Sequence, residues 1–182
     1  MQRQFIYSQA TITLVYSAVL FVVGFTLYYL YSKIDAALPT PVEEYLLPKL
    51  DDARLFIIHG YPEIRTLGLQ FLTLLSAILV FSTTFSEKII DYKVSGILIK
   101  MVLITAWCLI ICAIILDGVS LAYNAFALPN ALTDNQNISE GPPTFYDPAF
   151  RAIKTMLFAG VCFIYGIIFI MIASILSMFN KK

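Results

Sequence analysis

Few residues in this chain could do chemistry. It has three cysteines and one histidine. Cys108 and Cys112 stand four apart and would share a helix face. Cys162 lies in a separate apolar run. A thiolate metal site needs four N or S donors around one ion. The sole imidazole, His59, sits in a polar stretch far from all three. No metal or cofactor is therefore expected, and the cysteines read as small apolar core residues. None lies in a polar segment, so no structural disulfide is expected. His59 would change charge near neutrality, but a lone loop imidazole is expected to be only a loop residue. Nucleophilic catalysis needs a Ser or Cys beside a base, and no GxSxG is present. Intramembrane proteases of the rhomboid or site-2 kinds need histidines or HExxH within apolar spans, and these are absent. The carboxylate pairs Glu43-Glu44 and Asp51-Asp52 are expected to be solvated. The expectation is a non-enzymatic protein.

One polar pattern lies inside an apolar run. Gln70, Thr73 and Ser76 recur every three residues, followed by Ser82, Thr83 and Thr84. On a helix they fall near one stripe. Polar residues facing a lumen could conduct ions. The commoner use of such a stripe is to hydrogen-bond helices together. Small residues add a second pattern. Ser17 and Gly24 are seven apart, and so are Gly166 and Ala173. That spacing keeps them on one face and favours a left-handed packing seam. The seam could be internal or between subunits.

The elements that carry these residues follow from composition. The chain has 182 residues, of which 59% are hydrophobic and 13% charged. Its mean hydropathy is +0.82. Soluble domains carry roughly 25% charged residues, so a soluble domain is excluded. Disorder is excluded too, because it requires low hydrophobicity. The net charge is zero, which leaves no basic face for nucleic acid. The lipid bilayer is the expected partner. A helix needs about 20 apolar residues to cross a core of ~30 Å. Four runs qualify, at 10–31, 67–85, 101–116 and 155–179, each without an internal charge. The first exceeds the ~7–15 residues of a signal-peptide core and is expected to be retained. The third is short, but no breaker precedes Pro129. One long helix, centred on a span of about 98–120, is expected there, with Asp117 at an interface. The fold class is all-α: a polytopic single domain over 1–182 with four transmembrane helices in a bundle.

Charge orients the bundle. Arg3, Lys88, Lys93, Lys100, Lys181 and Lys182 crowd into tails and one short loop. Short basic segments stay in the cytoplasm, which gives N-in and C-in. Ten of the twelve acids fall on the other side. That side carries two extracytoplasmic loops, 32–66 and 121–154. Loop one contains Leu46, Leu47, Leu50 and Leu55 near helical spacing, which suits a short interfacial or re-entrant helix. The apolar patch Leu55, Phe56, Ile57 and Ile58 precedes a predicted turn at Gly60-Tyr61-Pro62. This patch is the candidate outer contact. Loop two is rich in turn formers and holds the sequon Asn137-Ile138-Ser139. Asp147 is expected to be an N-cap with Pro148 at N1. Lys88, Asp91 and Lys93 form the candidate cytoplasmic contact. The halves 1–91 and 92–182 share a helix–loop–helix plan. A shift of 90 lays Ala37-Leu38-Pro39 on Ala127-Leu128-Pro129, the pattern of a parallel repeat.

In span count the chain is similar to three groups. One is the four-span membrane component of the Kiwa anti-phage system. Another is the immunity proteins against pore-forming colicins of the A type. The third is the tetraspan junction and MARVEL-type proteins, although the tetraspanin CCG and the claudin W-GLW-C-C signatures are missing. The resemblance is one of topology, which does not establish function. The expectation is an integral subunit of a bacterial inner membrane that forms a homo-oligomer or joins another protein. It would act as sensor, anchor or scaffold, in the Kiwa-like case in antiviral defence. The alternatives are an ion-conducting pore subunit or a colicin-type immunity protein.

Overall fold

The structure is a computed structural model that describes residues 17, 21, 23–33, 49–89, 96–136 and 144–179. All regular structure among these is helical. Helix α1 is the helical stretch 23–33. Helix α2 is Lys49–Leu55, followed by a π-helical turn, Phe56–Gly60. Helix α3 is Tyr61–Thr84 and α4 is Ser86–Ile89. Helices α5, Ile97–Gln136, and α6, Tyr146–Phe179, complete the order.

Three helices are long and apolar enough to cross a membrane. They are Asp51–Thr84, Ile97–Asn135 and Tyr146–Met178, with mean hydropathies of 1.8, 2.6 and 2.6. Half of the expected first span, 10–31, lies outside the described residues. Its end is present as α1, which is helical.

The three long helices share a sevenfold pattern of buried positions. On α3 these are Gly68, Leu75 and Ser82. On α5 they are Ala106, Ala113, Ser120, Ala127 and Asp134, and on α6 Ala152, Ala159, Gly166 and Ala173. Most are small, so backbones can approach closely, and a seven-residue period keeps the seam facing its partner. The α5–α6 pair is antiparallel. Ser120 hydrogen-bonds the Ala152 carbonyl, while Ala106 and Ile110 meet Gly166. Helix α3 also runs antiparallel to α5, with Asn124 bonded to Tyr61 and Leu75 packed with Ala113. The α5 helix is therefore central. Helix α1 lies against α6, where Tyr31 meets the edge of Phe158 at 5.5 Å.

The helices extend further than their apolar runs. At ~1.5 Å per residue, the 40 residues of α5 span about 60 Å, roughly twice a bilayer core. Residues 49–66, expected in loop one, are helical, and so are 121–136 and 146–154, expected in loop two. These extensions pack on one another. Ala53, Ala131 and Phe145 form a buried cluster, with Phe56, Ile57 and Tyr146 around it. Phe145 stacks on Phe56 at 4.8 Å and on Tyr146 at 4.5 Å. Tyr146 Oη donates to Asp52 at 3.0 Å.

Two expected breakers do not break, and one expected cap does not cap. The turn predicted at Gly60-Tyr61-Pro62 is helical, with Gly60 at φ −62°. The π turn explains this, since the Tyr61 N–H reaches back five residues to the Phe56 carbonyl. A proline just after it begins a new α-segment, where its missing donor costs little. Pro129 lies inside α5 on an exposed face, so the carbonyl it leaves unpaired one turn earlier is also outward. Asp147 is not a cap. It sits within the first turn of α6 and pairs with Arg151 at 3.1 Å. Asp134, near the end of α5, holds the segment just before α6: its Oδ2 accepts from the Thr144 N–H at 2.5 Å and from the Thr144 hydroxyl at 3.0 Å.

Candidate functional site

The polar residues of the bundle divide into an inner column and an outer stripe. The inner column is on α5, at Asp117, Ser120 and Asn124, one and two turns apart. All three are buried, Asp117 completely. They face the cleft between α3 and α6. Ser120 Oγ donates to the Ala152 carbonyl at 2.6 Å. Asn124 Nδ2 donates to the Tyr61 carbonyl at 3.2 Å. Both carboxylate oxygens of Asp117, and Asn124 Oδ1, are buried without a hydrogen-bond partner.

Gly68 on α3 makes this cleft tight. A Cβ there would stand 2.6 Å from Leu121 Cδ2 and 3.7 Å from Asp117 Oδ1. The glycine lets α3 lie close over the carboxylate. The expected long helix is present around Asp117. The Ile97–Asn135 helix continues well past Asp117, so this acid is buried mid-helix between α3 and α5. Sequence reasoning used it as a boundary because charge bounded every other run. The usable signal was its position seven residues from Asn124 and three from Ser120.

The outer stripe is on α3. Gln70, Thr73 and Ser76 are all exposed. Thr73 donates back to the Leu69 carbonyl and Ser76 to the Leu72 carbonyl, each at 2.8 Å. Thr83 does the same to Leu79 at 2.9 Å. Such back-bonding makes a hydroxyl tolerable on an apolar helix. Gln70 carries a full amide on the same exposed surface, in a shallow groove with Pro62, Glu63, Thr66 and Leu67. Among the described residues the stripe lines no channel; it is exposed.

The remaining candidates separate. Phe56 and Ile57 pack into the extension cluster, whereas Leu55 and Ile58 are 52% and 62% exposed. The apolar patch is thus split between an internal role and an exposed ridge. Lys88 is exposed and its ammonium lies 5.3 Å from the Phe85 ring centre; Asp91 and Lys93 lie outside the described residues. Gly166 and Ala173 are buried in the α5–α6 seam. Ser17 and Gly24 are exposed, and a Cβ at Gly24 would meet nothing within 4 Å. Cys108 and Cys112 are exposed and Cys162 is buried. Among the described residues no group of three metal-binding side chains gathers. Ala37-Leu38-Pro39 and the sequon Asn137-Ile138-Ser139 are outside the described residues.

No protein family model matches the chain, and no curated protein or solved structure shows significant similarity to it.

Proposed function

We propose that this chain is a non-enzymatic membrane subunit that self-associates through α3 and anchors a partner protein at its cytoplasmic side. The observation that carries this reading is the outward polar stripe. Among the described residues helix α3 is covered mainly by α5, and Gln70, Thr73 and Ser76 lie on its exposed side. A glutamine amide facing hydrocarbon is unfavourable, and interhelical hydrogen bonding relieves it. An amide is both donor and acceptor, so two copies of Gln70 can satisfy each other. A second copy of the chain is thus the natural cover for this face. The proposed setting is a bacterial inner membrane, with both termini and Lys88, Asp91 and Lys93 in the cytoplasm. The Kiwa-like defence role rests on span count alone.

Cysteine cross-linking in membranes tests the reading. Thr73→Cys, in a background with Cys108, Cys112 and Cys162 replaced by serine, should cross-link copies of the chain. Leu55→Cys, on the exposed ridge, should not. Absence of a Thr73→Cys dimer, with a monomeric mass in mild detergent, would reject it.

The same stripe favours a second reading. If several copies surround an axis, Gln70, Thr73 and Ser76 line it and conduct ions. Proteoliposomes decide between the two. Ion flux that changes with Gln70→Leu supports a pore, and association without flux supports an anchor.

A further inference from the structure

We propose that Asp117 is an internal proton-binding site that couples protonation to the packing of α3 on α5. Its carboxyl is 0% exposed, and neither oxygen has a hydrogen-bond partner. A carboxylate in apolar surroundings with no partner costs several kcal/mol. A facing cation, a metal ion or a proton could remove that cost.

No side-chain cation does so among the described residues. Between Lys100 and the end of α5 the charged residues are Asp117 and Asp134 alone, and the titratable side chains Cys108, Cys112 and Tyr123 carry no positive charge. On α3 the charged groups are Glu63 and Arg65, both exposed. On α6, Arg151 is paired with Asp147 at 3.1 Å, and Lys154 lies 4.3 Å from the centre of the Tyr31 ring, toward α1. Lys33 of α1 is placed near Tyr29. The titratable groups Cys162 and Tyr165 of α6 supply no cation either.

A metal ion fits poorly. Hard cations gather six or more oxygen ligands. Here the Ser120 hydroxyl is committed to the Ala152 carbonyl, and the free Asn124 oxygen lies two turns along α5, about 10 Å away. One proton on one carboxylate oxygen needs no such cage. It neutralises Asp117 where Gly68 closes over it. Loss of that proton leaves a charge that demands water, and water can reach it only if α3 parts from α5 at Gly68. The site is thus a contact whose strength depends on proton activity. It stands independently of self-association through the opposite side of α3.

The full chain in proteoliposomes is treated with a hydrophobic carbodiimide, which reacts with protonated carboxyls, and labelling at Asp117 is mapped by mass spectrometry. Labelling should fall about tenfold per pH unit once the carboxyl is mostly ionised and should not respond to sodium at fixed pH. Asp117→Asn should abolish the label and flatten the pH dependence of thermal stability. Infrared spectroscopy covers poor reagent access: the stretch of a protonated carboxyl should be present in the wild type and missing in Asp117→Asn. Sodium protection at constant pH would overturn the proton assignment in favour of a metal cation. Absence of both label and infrared band would overturn the site.

Discussion

Helices α3 and α6 both pack antiparallel on α5, yet they use their surfaces differently. Helix α6 buries Ala152, Ala159, Gly166 and Ala173 along one seam, and its outer end is tied by Phe145 and Thr144. Helix α3 buries only Gly68, Leu75 and Ser82 and keeps its polar stripe outside. The α5–α6 hairpin is a finished interface. Helix α3 keeps an exposed face among the described residues. Between helices in lipid there is little hydrophobic drive, so small residues and polar groups decide which surfaces meet. The difference separates what holds the chain together from what is left for a neighbour.

Four substitutions sharpen this contrast. Phe145→Ala should have the largest effect. It empties a site that is 1% exposed and removes the stack on Phe56, at a cost of about 3–5 kcal/mol, read as a fall in melting temperature in detergent. Next is Gly166→Leu. A Cβ already meets Ile110 Cγ1 at 2.7 Å and the Ala106 carbonyl at 3.3 Å, so overpacking should cost about 1–3 kcal/mol in the same assay. Asp134→Ala removes both bonds to Thr144. As a loss of charge-assisted hydrogen bonds it should cost about 1 kcal/mol and raise proteolysis between α5 and α6. Gln70→Leu should leave monomer stability unchanged while weakening dimerisation by about 0.6–2 kcal/mol, measured by energy transfer between labelled copies. If Gln70→Leu destabilised the monomer as strongly as Gly166→Leu, the contrast would fail.

The helices were legible where hydropathy and period agree. The apolar runs at 101–116 and 155–179 lie inside α5 and α6, and the run at 67–85 ends one residue past α3. The spacing of Gly166 and Ala173 was visible, although its partners Ala106, Ala113 and Ala152 were not singled out, because alanine is common in any helix. The extensions were legible in part: leucine spacing placed a short helix in loop one and nothing broke the third helix before Pro129, but the rest read as loop. Pro62, Pro129 and the stretch TDNQ read as loop by local preference. Packing of Ala53, Ala131 and Phe145 outweighs that preference, and it comes from residues far apart in sequence. The burial of Asp117 was not legible for a similar reason. A single acid says nothing of whether its neighbours in space are lipid, water or another helix.

The π turn at Phe56–Gly60 sets the rotational phase of everything before it. Counting back from Ser82 through Leu75, Gly68 and Tyr61 in steps of seven leads to Arg54. The π turn holds one extra residue in its circuit, so the inward position falls on Ala53, which is fully buried, while Arg54 is exposed. Without that residue, α2 would turn by about 100° and present a guanidinium to Ala131 and Phe145. The extension can therefore join the bundle only because the helix is one residue out of step with itself.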